Sequence, residues 1–225
     1  MGTPSFAVPI LKALHKKKYL ISATYTQPPQ KSQRGQRYNK SPIHVISEEL
    51  NIECRTPRIL KGNNEEFNFF KKLDVDIVIV VAYGQIIPND FLDLSKKGFI
   101  NIHASLLPKW RGAAPIQRSI INLEKETGIS IMKIGEKLDT GPVCNSYKID
   151  IKENDNAETI STKLSILASE KISENIDGIL DDTVRFKEQD HNNATYASKI
   201  KKPEGEIKWN DNAENIIGKI NGLYP

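Results

Sequence analysis

The sequence has little cysteine and no long apolar run. Its 225 residues include only two cysteines, Cys54 and Cys144, and neither has the spacing of a metal-ligand set or a redox pair. Both are therefore predicted to be reduced thiols. No apolar stretch approaches the roughly 18 residues of a membrane span, and no signal peptide opens the chain. These absences predict a cytoplasmic protein with no metal and no membrane partner.

A strong charge bias is also absent. Lysine and arginine total 32 and the acidic residues 28, which gives a formal net charge of +4. This excess permits a polyanionic partner but is too small to establish nucleic-acid binding by itself. The early stretch "GTPSFA" lacks the spacing of a dinucleotide fingerprint, so NAD binding is not expected.

The clearest structural element is "DVDIVIVVAYG", residues 74–84. Its unbroken β-branched run is typical of a strand buried on both faces, as in a parallel sheet. Shorter apolar runs predict strands at 20–26, 98–103 and 128–134, with helices at 6–14, 43–50 and 155–180. Strands that alternate with helices predict an α/β fold with a doubly wound, mostly parallel sheet. Beyond residue 181 the pattern loosens into a predicted hairpin and a helix.

Two polar residues stand in the predicted strand 98–103. Asn101 and His103 are two positions apart, so their side chains point to the same side. They lie at the carboxyl end of the strand, where open α/β sheets bind their ligands. An isolated Asn-x-His pair is more often a hydrogen-bonded strand end than an active site. Assigning it to an active site therefore requires support from the surrounding sequence.

The sequence around this pair resembles a known protein superfamily. "HASLLPKWRGAAPIQ" and the downstream "LDTGP" resemble the folate-dependent formyltransferase superfamily. "GTPSFAVPIL", "YTQPPQKSQRG" and "YASKIKKPEGEIKW" resemble further stretches of the same superfamily. Within it, "WRGAAPIQ" is most similar to the branch that formylates methionyl initiator tRNA. The resemblance implies a Rossmann-like catalytic domain over residues 1–180. Residues 181–225 would end that domain and begin a linker to a C-terminal β-barrel.

The resemblance also implies the chemistry. A formyl group would pass from the co-substrate 10-formyltetrahydrofolate to the α-amine of methionyl initiator tRNA through a tetrahedral intermediate. The Asn101 amide would donate to the oxyanion, and the His103 imidazole would donate or shuttle a proton. Asp139 would accept from the other ring nitrogen and fix the tautomer. No metal and no covalent nucleophile are required.

The binding residues implied by the resemblance form two groups. The folate-side turn would be Ser105, Leu106, Leu107 and Pro108, and the tRNA contacts would be Arg34, Arg37 and Lys40. The basic loop departs from the family pattern, because "QRGQR" replaces a stretch that often ends in two lysines. A solvated loop without tRNA contacts is the alternative for this segment. A monomer is expected.

The family normally has a short apolar strand before Gly-Thr-Pro, and this strand is expected to be missing here. In a strand order of 3-2-1-4-5 the first strand is central. We therefore expect a gap beside residues 20–26, lower stability than in a longer chain, and weak tRNA binding.

Two other functions remain open from the sequence. The chain could be a related formyltransferase that acts on a sugar nucleotide or glycinamide ribonucleotide, or a formyl-folate hydrolase. It could also be a catalytically silent module that binds folate or RNA.

Overall fold

The computed structural model describes residues 1–32 and 37–225, which group into two compact units. The first unit comprises Met1–Ile102 and Ser169–Val184, and the second comprises His103–Ala168 and Arg185–Pro225. None of the helices in the described ranges is long and apolar enough to cross a bilayer.

The first unit alternates helices with short strands. Its elements in chain order are α1 (Val8–Lys16), β1 (Thr24–Tyr25), β2 (Gln30–Ser32), β3 (Arg37–Asn39), α2 (Pro42–Glu49), β4 (Cys54–Arg55), α3 (Asn64–Lys72), β5 (Val78–Val80), α4 (Asn89–Leu92) and β6 (Phe99–His103, whose last residue begins the second unit). Side-chain caps begin α2 and α3, where Ser41 and Asn63 accept hydrogen bonds from backbone N–H groups three residues on.

The parallel sheet of the first unit has the predicted strand order. β1 pairs with β4 and β5 pairs with β6, both in parallel. Between them, the Gly2 amide donates to the Tyr25 carbonyl at 2.9 Å and the Val81 amide donates to the Met1 carbonyl at 2.8 Å. The order is therefore β4, β1, Met1–Gly2, β5, β6, which confirms the doubly wound α/β fold.

A cavity of about 330 Å³ lies inside this unit, lined by residues 19–25, 73–79 and parts of the neighbouring helices. The α-ammonium of Met1 is buried there and donates to the Ile79 carbonyl at 2.6 Å. Burial lowers the pKa of this ammonium to about 5. None of the sequence-predicted site residues lines this cavity, and the gap expected beside residues 20–26 stays a prediction.

The second unit holds the rest of the chain's regular structure. Its elements are β7 (Arg111–Gly112), α5 (Pro115–Ile121), β8 (Glu126–Lys133), β9 (Val143–Asp150), α6 (Ala157–Leu180, which continues into the first unit), β10 (Tyr196–Ala197) and α7 (Ala213–Leu223). β8 and β9 form an antiparallel hairpin, and β7 pairs in parallel with β10. The last turn of α7 packs closely on α5, because a Cβ at Gly222 would lie 2.5 Å from Ile121 Cγ1.

Asp155 anchors the start of α6. Its carboxylate accepts hydrogen bonds from Lys163 Nζ at 2.6 Å, the Lys152 amide at 2.9 Å and Thr159 Oγ1 at 3.0 Å. Burial by itself raises the pKa of this carboxyl, but the hydrogen bonds outweigh burial and leave the pKa below its ordinary value. The long helix predicted over 155–180 is confirmed.

Several predicted elements differ from the structure. The strand predicted over 74–84 is regular only in β5, because the chain bends away at Ala82, whose φ is 46°. The hairpin predicted in the tail is wrong, since Lys202–Gly205 forms a 3-10 turn in which Glu204 pairs with Arg118 at 2.6 Å. The division at residue 180 stays a prediction.

Candidate active site

Strand β6 carries the two polar residues that the sequence singled out. Asn101 is half-buried and lies in register with Val80 of β5. His103 ends the strand, and only 6% of its side chain is exposed. Because they are two residues apart on one strand, the amide and the imidazole project to the same side.

Two groups constrain the His103 ring. Its Nε2 lies 2.8 Å from the carbonyl oxygen of Trp110, which can only accept, so Nε2 carries a proton. Its Nδ1 faces Asp139 Oδ2 at 3.7 Å, within ion-pair distance but too long for a hydrogen bond. The Trp110 carbonyl therefore holds the proton on Nε2, and the role expected of Asp139 in fixing the tautomer stays a prediction.

Asp139 lies in the loop between β8 and β9 and is held in a defined orientation. Its Oδ2 accepts a hydrogen bond from the Gly112 amide at 2.8 Å, and its side chain is 12% exposed. Its φ of 50° lies in the left-handed region, which costs a non-glycine residue about 1–2 kcal/mol.

Gly112 can hold Asp139 only because it has no side chain. Its φ is 119°, and a Cβ would lie 2.7 Å from the Ala197 carbonyl of β10. The close pairing of β7 with β10 therefore aims the Gly112 N–H at the Asp139 carboxylate.

The arrangement can move a proton. With Nε2–H donated to Trp110, the lone pair of His103 Nδ1 is the basic site of the ring. This nitrogen faces Asp139 Oδ2 at 3.7 Å. The pair thus places a ring nitrogen that can accept a proton beside a fixed carboxylate.

The turn after β6 is built by serine hydroxyls. Ser105 is fully buried, and its Oγ donates to the Lys109 carbonyl at 2.6 Å. Ser130 Oγ of β8 donates to the Ser105 carbonyl at 2.8 Å and accepts from the Leu107 amide at 3.0 Å. The Ser105 hydroxyl is therefore engaged within the turn, which fits a structural role better than a nucleophilic one.

The other two residues of this turn are also placed. Leu106 is half-buried, and the peptide bond between Leu107 and Pro108 is cis. The Pro108 carbonyl accepts from the Thr195 amide at 3.3 Å. The structure therefore brings the four predicted folate-side residues together in one anchored turn.

The predicted tRNA contacts are described only in part. Arg34 lies outside the described residues, and for Arg37 the structure describes the backbone, which opens β3. Lys40 is exposed, with its Nζ 2.5 Å from Glu48 Oε1. Such a surface ion pair contributes little to stability, because solvent screens it.

Burial makes both cysteines poor nucleophiles. It raises the pKa of the Cys144 thiol to about 11 and raises that of Cys54 above its ordinary value. Both thiols are therefore protonated at neutral pH.

Sequence reasoning missed the residues that hold the backbone of the Asp139 loop. Gln189 is buried, and its Nε2 donates to the carbonyls of Asp139 and Gly141 at 2.9 and 2.7 Å. Its Oε1 accepts from the buried Arg111 guanidinium at 2.7 Å. Arg111 belongs to the recognised "WRGAAPIQ" stretch, but no local signal marks Gln189.

Comparison with known proteins decides the family. The model of the formyl transferase family matches residues 1–176 of this chain. A methionyl-tRNA formyltransferase from Pelagibacter ubique (strain HTCC1062) is 75% identical over 225 residues, which is all of this chain and 73% of that protein. The chain belongs to the formyl transferase family. This membership confirms the superfamily and the enzyme class that the resemblance implied.

Other formyl transferases agree with this membership. A methionyl-tRNA formyltransferase from Thermodesulfovibrio yellowstonii is 43% identical over 227 residues, covering all of this chain and 72% of that protein. The crystal structure of WlaRD, a sugar 3N-formyl transferase in the presence of dTDP and 5-N-formyl-THF, is similar with a TM-score of 0.76 at 20% identity. It covers 99% of this chain and 77% of that chain, and it supports the fold of the family.

Proposed function

We propose that this formyl transferase carries a formyl group from 10-formyltetrahydrofolate to the α-amine of methionyl initiator tRNA, with Asn101, His103 and Asp139 as its catalytic residues. The observation that carries the proposal is the state of His103. Its Nε2 is bound to the Trp110 carbonyl, and its Nδ1 faces a carboxylate at 3.7 Å. A base held in this way suits an amine that loses a proton as it attacks.

The proposed reaction is a direct transfer between two nitrogen atoms. The amine nitrogen attacks the formyl carbon, a C–N bond forms, and the carbonyl oxygen becomes an oxyanion. His103 Nδ1 takes the proton that the attacking nitrogen loses, and Asp139 stabilises the resulting imidazolium. The oxyanion then re-forms the carbonyl, the bond from the formyl carbon to N10 of the folate breaks, and the His103 imidazolium returns its proton to N10.

In this scheme Asn101 stabilises the oxyanion. Its amide donates a hydrogen bond without titrating, so it works in either protonation state of His103. Loss of one such donor typically lowers the rate by about 10²–10³. The turn Ser105–Leu106–Leu107–Pro108 supplies backbone contacts to the folate. Hydrogen bonds within the turn and to Ser130 fix its shape, so these contacts are positioned before the folate binds.

The identity of the formyl acceptor is inferred from related proteins. Proteins 75% and 43% identical to this chain are named methionyl-tRNA formyltransferases, whereas the sugar formyltransferase is 20% identical. Arg34, Arg37 and Lys40 are the proposed phosphate contacts, since with Lys31 they are the basic residues of 27–42.

An acceptor screen tests this assignment. The chain is incubated with 10-formyltetrahydrofolate and either charged initiator tRNA, an amino-sugar nucleotide, glycinamide ribonucleotide or water alone. We expect formyl transfer to charged initiator tRNA at least 10²-fold faster than to any other acceptor. Faster transfer to a sugar nucleotide or to glycinamide ribonucleotide, or hydrolysis alone, would replace the proposed acceptor, and folate binding without turnover would indicate a silent module.

The cellular setting belongs to the same proposal. Two cysteines without pair spacing fit a reducing cytoplasm, and each unit has its own buried core. We expect the protein to act there as a monomer, which size-exclusion chromatography with light scattering tests directly.

A further inference from the structure

Arg111 is a buried cation with an unusual set of acceptors. Its side chain is 2% exposed, and its Nε and Nη2 both donate to Gln189 Oε1, at 3.0 and 2.7 Å. Its Nη2 also lies 2.9 Å from His191 Nδ1, which must accept because a guanidinium only donates. A buried guanidinium is costly to desolvate, so these acceptors are essential partners.

These contacts fix the orientation of the Gln189 amide. Its oxygen faces the guanidinium, so its NH2 group has to face the opposite way. A flipped amide would place NH2 donors against guanidinium donors, which no acceptor could satisfy. The Gln189 amide is therefore a rigid link with one usable orientation.

The NH2 group of Gln189 holds the loop that carries Asp139. It donates to the Asp139 carbonyl at 2.9 Å and to the Gly141 carbonyl at 2.7 Å. The backbone of Asp139 itself has a φ of 50°. Its carboxylate is held on the other side by the Gly112 amide at 2.8 Å. The backbone and the side chain of Asp139 are thus fixed by separate partners.

We infer that Gln189, oriented by Arg111, is a positioning residue that sets the Asp139 carboxylate relative to His103. The inference rests on the proposed function, in which that carboxylate stabilises the His103 imidazolium. A displacement of about 1 Å at a reacting group can cost about 10²-fold in rate. Gln189 touches no reacting atom, so its effect passes entirely through Asp139.

The variant Gln189→Glu changes the hydrogen bonds to the loop and keeps those to Arg111. A glutamate keeps the oxygen that accepts from Arg111, but it replaces the NH2 donors with an oxygen that repels the two loop carbonyls. We expect kcat for formylation of charged initiator tRNA to fall at least tenfold, with both KM values within threefold of wild type. The exposed neighbour Glu188 supplies the control, and Glu188→Gln should leave kcat unchanged. A wild-type kcat in Gln189→Glu overturns the inference.

A double-mutant cycle excludes a general structural effect. If Gln189 acts through Asp139, adding Gln189→Glu to Asp139→Asn lowers kcat by less than threefold further. The same fold loss in both backgrounds overturns the inference. Should Gln189→Glu not fold, Gln189→Met replaces it in the cycle, with the same two outcomes. Failure of the proposed function is distinguishable, because Asp139→Asn alone would then keep its wild-type kcat.

Discussion

The substitution Asp139→Asn removes the charge beside His103 with little change in shape. An asparagine oxygen can still accept from the Gly112 amide, so the loop keeps its main side-chain anchor. Two unit charges 3.7 Å apart interact by about 4 kcal/mol at an effective dielectric constant of about 20. Each 1.36 kcal/mol corresponds to about tenfold in rate, so full loss predicts roughly 10³-fold. Because the asparagine dipole retains part of the attraction, we expect kcat to fall by about 10²–10³.

The assay is formylation of charged initiator tRNA at saturating 10-formyltetrahydrofolate. Both KM values should stay within about threefold, since the lost interaction forms only when His103 is protonated during the reaction. Glu136→Gln is the matched control, because Glu136 is an exposed carboxylate in the same loop between β8 and β9. A kcat within tenfold of wild type for Asp139→Asn, with an unchanged control, would refute the electrostatic role of Asp139.

Three further predictions follow from the contacts. Gly112→Ala places a Cβ 2.7 Å from the Ala197 carbonyl and should lower the free energy of unfolding by about 1–3 kcal/mol in urea titrations, whereas unchanged stability would contradict the close β7–β10 approach. The folded pKa of Asp155 is depressed, so its contribution is full above about pH 4 and is lost as pH falls through the folded pKa. Asp155→Asn should therefore flatten the acid limb of the stability curve below about pH 4, and an unchanged limb would count against it. Lys40→Ala should reduce the salt dependence of tRNA binding by about one unit of log K against log salt, and an identical slope would remove Lys40 from the tRNA contacts.

Much of the fold could be predicted because its signals are local. The β-branched run at 74–84 and the periodicity of 155–180 reflect burial, which hydrophobic patterning records directly. β9 gave no such signal, because its residues alternate between half-buried and exposed and none is fully buried. Strand β1 covers only Thr24–Tyr25 of the predicted 20–26, because its regular partner β4 is also only two residues long.

The candidate site likewise contains residues that local sequence predicts and residues that it does not. Asn101 and His103 follow from the two-residue period of one strand, so the sequence alone brings them together. Asp139 lies on a distant loop and was reached only through a family resemblance. Gln189 could not be reached at all, because it stands between the exposed Glu188 and Asp190 and is buried only by tertiary packing.

The most direct test is the single-turnover rate of formyl transfer to charged initiator tRNA by Asn101→Ala and His103→Ala. We predict that each variant remains folded by circular dichroism and loses at least about 10²-fold in rate. A rate within tenfold of wild type in either variant would contradict the assignment of that residue to the active site.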